Sequence, residues 1–263
     1  MLRRILLLPV IFISCISASV KFVLVTPSYN NEKYCLGNIQ SVVDQTYDNW
    51  EMLIVNDCST DKTSQILHDY IQEHHLEHKV TLIDNTERKG ALHNIYDMVH
   101  ACSNDVVCGL LDGDDRLSDK HVLQKLADVY QDPSVWMTYG QFIWEASGHR
   151  GVYDWEYPAD VIRDRRFREY NWLATHFRTF YAWIFKKIEL KDLQYDGKFL
   201  PSGWDLAIMF PILEMASRGH IRFISDVLYI YNDLNPLNDF RTDGARQTLI
   251  GQMIRRRKKY DAL

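Results

Sequence analysis

Apolar and polar positions alternate in blocks along the first half of the chain. Phe22 to Thr26 (FVLVT) is a β-branched, apolar run, and PSYNNEKY after it is rich in turn-forming residues. From Leu36 to Asp44 the apolar side chains fall at Leu36, Ile39, Val42 and Val43, on one side of a helix. Glu51 to Asp57 (EMLIVND) predicts a second strand. Asp61 to His74 predicts a helix whose start Ser59 or Thr60 can cap. KVTLID predicts a third strand, Ala91 to Cys102 a third helix, and Val106 to Asp112 (VVCGLLD) a fourth strand. Strands alternating with helices imply right-handed crossovers and a parallel sheet. Nearly continuous apolar strands imply burial on both faces.

The second half is less regular. SVWMTYGQFIWE predicts a strand that leaves the sheet, and YDWEYPADVIRDRRFREYNW has no clear period. Leu206 to Gly219 predicts a helix, with Pro211 kinking it or marking its first turns. IRFI and VLYIYN predict two short strands, and Asp243 to Lys259 a terminal helix. There is no internal repeat and no low-complexity linker.

Composition narrows the class. The 263 residues are 46% hydrophobic and 25% charged, enough for a sizeable core in one large domain or a domain with an appended lobe. A net charge of −5 gives no reason to expect a nucleic-acid partner. The basic run Arg255, Arg256, Arg257, Lys258 and Lys259 reads as a solvated helix end rather than a membrane patch. Cys15, Cys35, Cys58, Cys102 and Cys108 form no CxxC pair, so neither a disulfide framework nor a zinc site is indicated. At the N-terminus, Arg3 and Arg4 precede an uncharged stretch from Ile5 to Val20 that ends in small residues. Residues 1–20 therefore read as a signal peptide or a short signal anchor, with possible membrane association through this segment. That favours export of the domain into a secretory or endomembrane lumen, or a membrane-anchored state. A cytosolic domain held by a short anchor is the other arrangement.

The candidate chemistry begins at LLDGDDRL, Leu110 to Leu117. Asp112, Asp114 and Asp115 repel one another, and a cation is one way to offset that cost. D-x-D spacing turns two carboxylates to one side of an extended segment. Oxygen ligands of this kind suit Mg²⁺ or Mn²⁺, which also bridge phosphates. An Asx turn capping the next helix is the alternative. Thr26, Asp57 and Asp112 all fall at carboxyl ends of predicted strands, where parallel sheets gather their ligands.

VTPSYNN (Val25 to Asn31), SVVDQTYDNWEMLIVNDCSTD (Ser41 to Asp61) and LLDGDDRL resemble, in order and spacing, the family 2 glycosyltransferases. GWDLAIMFPILEMA and FISDVLYIYND extend the likeness more weakly. The resemblance implies an α/β, Rossmann-like GT-A fold, with residues 21–140 as the nucleotide-sugar half and 141–263 as the acceptor-side half. It further implies a nucleotide-sugar donor, usually a UDP-sugar, inversion at the anomeric carbon, and a glycan, lipid or protein acceptor. By motif position Thr26 and Asp57 contact the nucleoside, with Asp57 on the base, and Arg88 or Lys89 lies near the base and ribose. Asn56 stands where the family commonly has an aspartate. Asp112 and Asp114 match the metal-binding pair. Asp114 is then the direct ligand, Asp112 faces the ribose or a water on the ion, and Asp115 orients their surroundings.

Inversion needs a general base for the acceptor hydroxyl. The family's first acid position aligns with Gly203, which leaves Asp205 as the candidate in PSGWDLAIM, with capping of the Leu206 helix as its plain alternative. Glu214 lies too far along that helix. In ATHFRTFYAWIF, His176 and Arg178 are expected near the acceptor or diphosphate, and Trp204 beside Asp205 can stack on a sugar. A sugar nucleotidyltransferase should carry a Gly-rich basic loop after its first strand, and VTPSYNNEKY has neither glycine nor arginine. A non-catalytic sugar- or nucleotide-binding protein on the same fold is the remaining alternative, kept open by Gly203.

Overall fold

The computed structural model describes residues 19–151, 155–238 and 244–263. The segment expected to be a signal peptide or short anchor, residues 1–20, lies outside the described residues but for its last two positions. Among those described, no helix is long and apolar enough to cross a membrane.

Among the described residues, ten strands and eight α-helices follow in order. The first half holds β1 (Phe22–Ser28), α1 (Cys35–Val43), β2 (Trp50–Asn56), α2 (Thr63–Glu73), β3 (Val80–Asp84), α3 (Ala91–Ala101), β4 (Val107–Leu110), β5 (Arg116–Leu117) and α4 (Val122–Val129). The second holds β6 (Met137–Trp144), α5 (Ala159–Arg163), β7 (Arg178–Tyr181), α6 (Ala182–Phe185), β8 (Gln194–Tyr195), β9 (Lys198–Phe199), α7 (Trp204–Met215), β10 (Ile221–Tyr231) and α8 (Gly244–Arg255). Eight strands form one sheet in the order β3-β2-β1-β4-β7-β6-β10-β5, and β8 and β9 form a separate ribbon. β1 lies parallel to β2 from Phe22↔Trp50 to Ser28↔Asn56, and parallel to β4 from Phe22↔Val107 to Val25↔Leu110. β7 runs antiparallel to both β4 and β6.

Alternation along β1 builds two cores. Phe22 and Leu24 face one side, where Ile39 and Val42 of α1, Leu67 and Ile71 of α2, and Leu123 and Leu126 of α4 pack. Val23 and Val25 face the other, against α3, α6 and α7, which is apolar except at Asp205 and Glu214. Burial on both faces is what the near-continuous apolar strands require. The crossovers bring the carboxyl ends of β1, β2 and β4 to one edge.

Several expectations are corrected. The SVWMTYGQFIWE segment does not leave the sheet: β6 sits inside it between β7 and β10. IRFI and VLYIYN are one eleven-residue strand, β10, with irregular register between Phe223 and Val227 and again before Tyr229. β7 was hidden because both its faces are covered, so its residues show no alternation of apolar and polar. α2 is not capped by Ser59 or Thr60. Asp61 Oδ1 instead accepts from Thr63 N at 3.0 Å and from Thr63 Oγ1 at 2.6 Å. Pro211 lies inside α7.

The basic C-terminal run is not simply a solvated helix end. Arg255 donates to the carbonyls of Arg168 and Tyr170, Arg257 to those of Asp192 and Gln194, and Lys259 pairs with Glu169. Beneath them Arg168 and Glu214 form a buried, two-pronged ion pair at 2.5 and 2.8 Å. Tyr260 N also donates to Glu214, so the last residues are tied to α7.

Candidate active site

The acid loop runs directly off β4. Leu111 N donates to Val25 O and Gly113 N to Pro27 O, so the loop continues alongside β1 beyond the strand end. Gly113 is required there: a Cβ would come within 2.7 Å of Ser28 Cβ and Oγ. Asn38 of α1 grips the loop from below, donating to the carbonyls of Asp112 and Asp115 at 2.9 and 2.7 Å.

β10 and the loop after it hold the carboxylates. Tyr229 OH accepts from Asp112 N and donates to Asp115 Oδ2 at 2.7 Å, while Asn232 N donates to Asp115 Oδ1 at 2.6 Å. Asn235 Nδ2 donates to Asp114 Oδ2 at 2.7 Å. Asp115 is 3% exposed. Burial, then the charges of Asp114 and Asp112, push its carboxyl well above the usual range. Burial and the same acid group likewise raise Tyr229, which therefore keeps its proton as a donor.

Asp112, Asp115 and His176 each bring one possible ligand atom within 4.8 Å of the others. The grouping differs from the expected one: His176 joins Asp112 and Asp115, while Asp114 is turned to Asn235. Two carboxylates and an imidazole are a donor set that fits a divalent cation. A cation there would also offset the part of the upward push on Asp115 that comes, after burial, from Asp114 and Asp112.

The same residues border a cleft of about 540 Å³. On its sheet side lie Pro27, Tyr29 and the acid loop, and Arg88 enters from the loop before α3, its guanidinium 3.7 Å above the Tyr29 ring. His176, Arg178, Trp204 and Asp205 line the same cleft, with His176 next to the acid loop. Arg178 is buried; it donates to Ala174 O at 3.1 Å and to His176 Nε2 at 2.7 Å, and lies 4.0 Å from Asp205 Oδ2. Burial, then the Arg178 charge, holds His176 well below the usual imidazole range, so the ring is neutral. Trp204 opens α7 with the Arg178 guanidinium 5.6 Å from its ring. Asp205 is not the cap of its helix. Gly203 occupies that position in a left-handed conformation with no side-chain bond, which leaves the Asp205 carboxylate facing the cleft.

Three expected residues lie outside the cleft lining. Thr26 is buried in β1 with no partner for its hydroxyl oxygen. Asp57 is buried beyond β2 and accepts from Asn85 Nδ2, Lys89 N and Gly90 N at 2.8–2.9 Å. Burial works against its ionisation, but Asn94, the Lys89 amide, Asn85 and the Gly90 amide outweigh it and hold the carboxyl below its ordinary value. Lys89 turns its ammonium to Asp97 at 3.4 Å. Asn38, Tyr229, Asn232 and Asn235 were not foreseen. NDLNP after a strand, a run of turn-forming residues, is a local signal for Asn232 and Asn235 alone.

The fold has close counterparts among solved structures. It is similar to Staphylococcus aureus TarS 1–349 in complex with UDP-GlcNAc, with TM-score 0.64 and 19% identity over 82% of this chain and 59% of that one. It is also similar to the mannosyltransferase PcManGT from Pyrobaculum calidifontis in complex with GDP-Man and Mn²⁺, with TM-score 0.62 and 18% identity over 91% of this chain and 66% of that one. The architecture is therefore the GT-A fold. Glycosyl transferase family 2 matches residues 23–192, and the chain belongs to that family. Among curated relatives, the putative teichuronic acid biosynthesis glycosyltransferase TuaG of Bacillus subtilis is 45% identical over 62 residues, covering 24% of this chain and 25% of TuaG. The matched segment thus spans only a quarter of that relative.

Proposed function

We propose that the protein transfers a sugar from a nucleotide donor, a UDP-sugar, to an acceptor hydroxyl with inversion, assisted by Mn²⁺ or Mg²⁺. The observation that carries this reading is the meeting, in one cleft, of an acid loop able to hold a divalent cation with Arg178 and Asp205. Asp112, Asp115 and His176 would hold the cation, which supplies charge stabilisation for the leaving diphosphate.

The chain's own residues do the rest. Tyr29 and Arg88 border the nucleoside side of the cleft, while Asp57 braces the loop that carries Arg88. Arg178 offers a planar fork of donors suited to phosphate oxygens. Asp205 accepts the proton of the acceptor hydroxyl, and Trp204 presents a ring face to a sugar. Release of UDP from UDP-sugars tests the reading. Turnover should require Mn²⁺ or Mg²⁺ and fall ~10²–10⁴-fold in Asp205→Asn with the melting temperature unchanged. Near-normal turnover in that variant would show that the base lies elsewhere. Gly203 supports a second reading, a non-catalytic binder, which predicts donor binding with no UDP release.

A further inference from the structure

The imidazole of His176 meets two claims on one lone pair. Arg178 donates to its Nε2 at 2.7 Å, and a ring nitrogen also stands in the 4.8 Å grouping with Asp112 and Asp115. A neutral imidazole has a single acceptor nitrogen, and a guanidinium can only donate. In the structure, then, Nε2 accepts and Nδ1 carries the hydrogen. A cation binding through Nε2 takes the atom that Arg178 uses. One binding through Nδ1 requires the other tautomer, which sets an N–H against a guanidinium N–H. By either route, the His176–Arg178 bond and a cation on His176 exclude each other.

We infer that His176 is shared in turn between Arg178 and the divalent cation, so that loading the site releases the Arg178 guanidinium into the cleft. The inference rests on the cation-assisted reading above. No covalent bond changes; at most one ring proton moves between nitrogens by exchange with water. The released guanidinium keeps its bond to Ala174 O and has the Asp205 carboxylate 4.0 Å away. Beside a bound cation, a freed guanidinium adds positive charge to the cleft. The ligand class that satisfies both is a diphosphate, which accepts a planar fork while bridging the cation. Arg178 on this account binds the diphosphate directly and is coupled to the metal through His176, which orders events with cation first and donor second.

Two measurements on the full chain test this. Histidine-side-chain ¹⁵N spectra of the wild type, with His176 assigned from a His176→Gln sample, should show its ring nitrogens shifting on saturation with Mg²⁺. Unmoved His176 resonances at saturation would overturn the inference. Calorimetric titration of Mn²⁺ should show binding about ten- to a hundredfold tighter in Arg178→Met, the worth of a charged hydrogen bond removed from competition. That gain should vanish in a His176→Phe background. A gain that persists there undiminished means simple charge repulsion and contradicts the sharing. Wild-type Mn²⁺ affinity in His176→Phe alone sinks this inference but leaves a carboxylate-held cation intact, whereas no Mn²⁺ binding to the wild type removes both.

Discussion

Asn56 shows how one atom's identity is set by a neighbour across the sheet. Its Nδ2 donates to Asp84 Oδ1 at 2.6 Å, where Ser64 and His68 also converge. An aspartate, the family's common choice, would place a second carboxylate against Asp84. Asn56→Asp should therefore cost about 1–3 kcal/mol at pH 7. Repulsion raises the folded-state value of the introduced acid, so the penalty should shrink as pH falls toward 4, as urea unfolding at both pH values would show. Asp57 has the opposite sign. Its carboxyl is held below the ordinary value, so its contribution is fully present above about pH 4 and is lost as pH falls through the lowered value. Asp57→Asn keeps one acceptor oxygen and sets its NH2 against either the Gly90 amide or the donors from Lys89 and Asn85. It should loosen the Arg88 loop and raise the donor KM more than it lowers kcat, since a contact equal in ground and transition states acts on binding. A large fall in kcat at saturating donor, with KM unchanged, would contradict that role.

At the level of elements, what was legible depended on whether the signal was local. β1 to β4 and α1 to α3 were readable because each carries its own period, and β5 and β7 were not. β10 was read as two strands because polar residues interrupt it at Ser225 and Asp226, where its pairing with β6 slips. α7 was read early because it is apolar except at Asp205 and Glu214, but its start was misplaced: Gly203 adopts the left-handed cap, so Asp205 is freed from capping. The same helix carries the buried Glu214 that anchors the C-terminal residues through Arg168 and Tyr260. Glu214→Gln leaves a buried guanidinium uncompensated and should cost about 3–5 kcal/mol in denaturant unfolding. Loss of no more than a surface pair's worth would mean that the clamp is dispensable.

Across the whole molecule, the site is assembled from segments far apart in the chain. The acid loop was visible in the sequence because DGDD is contiguous. Its supports were not, since Asn38, Tyr229, Asn232 and Asn235 lie 74 to 121 positions from the residues they hold. No local pattern announces a partner at that distance. The same assembly eases the coexistence of the three acids, since Arg88 and Arg178 line the cleft that they share. A cation that binds only the folded cleft should stabilise it, by ~2.7 kcal/mol at a hundred times its dissociation constant. The most direct test of the central claim is calorimetric titration of UDP into the wild type and Asp112→Ala, with and without Mn²⁺. The account predicts UDP binding that depends on Mn²⁺ in the wild type and loses that dependence in the variant. Equal UDP affinity with and without Mn²⁺ in the wild type would contradict it.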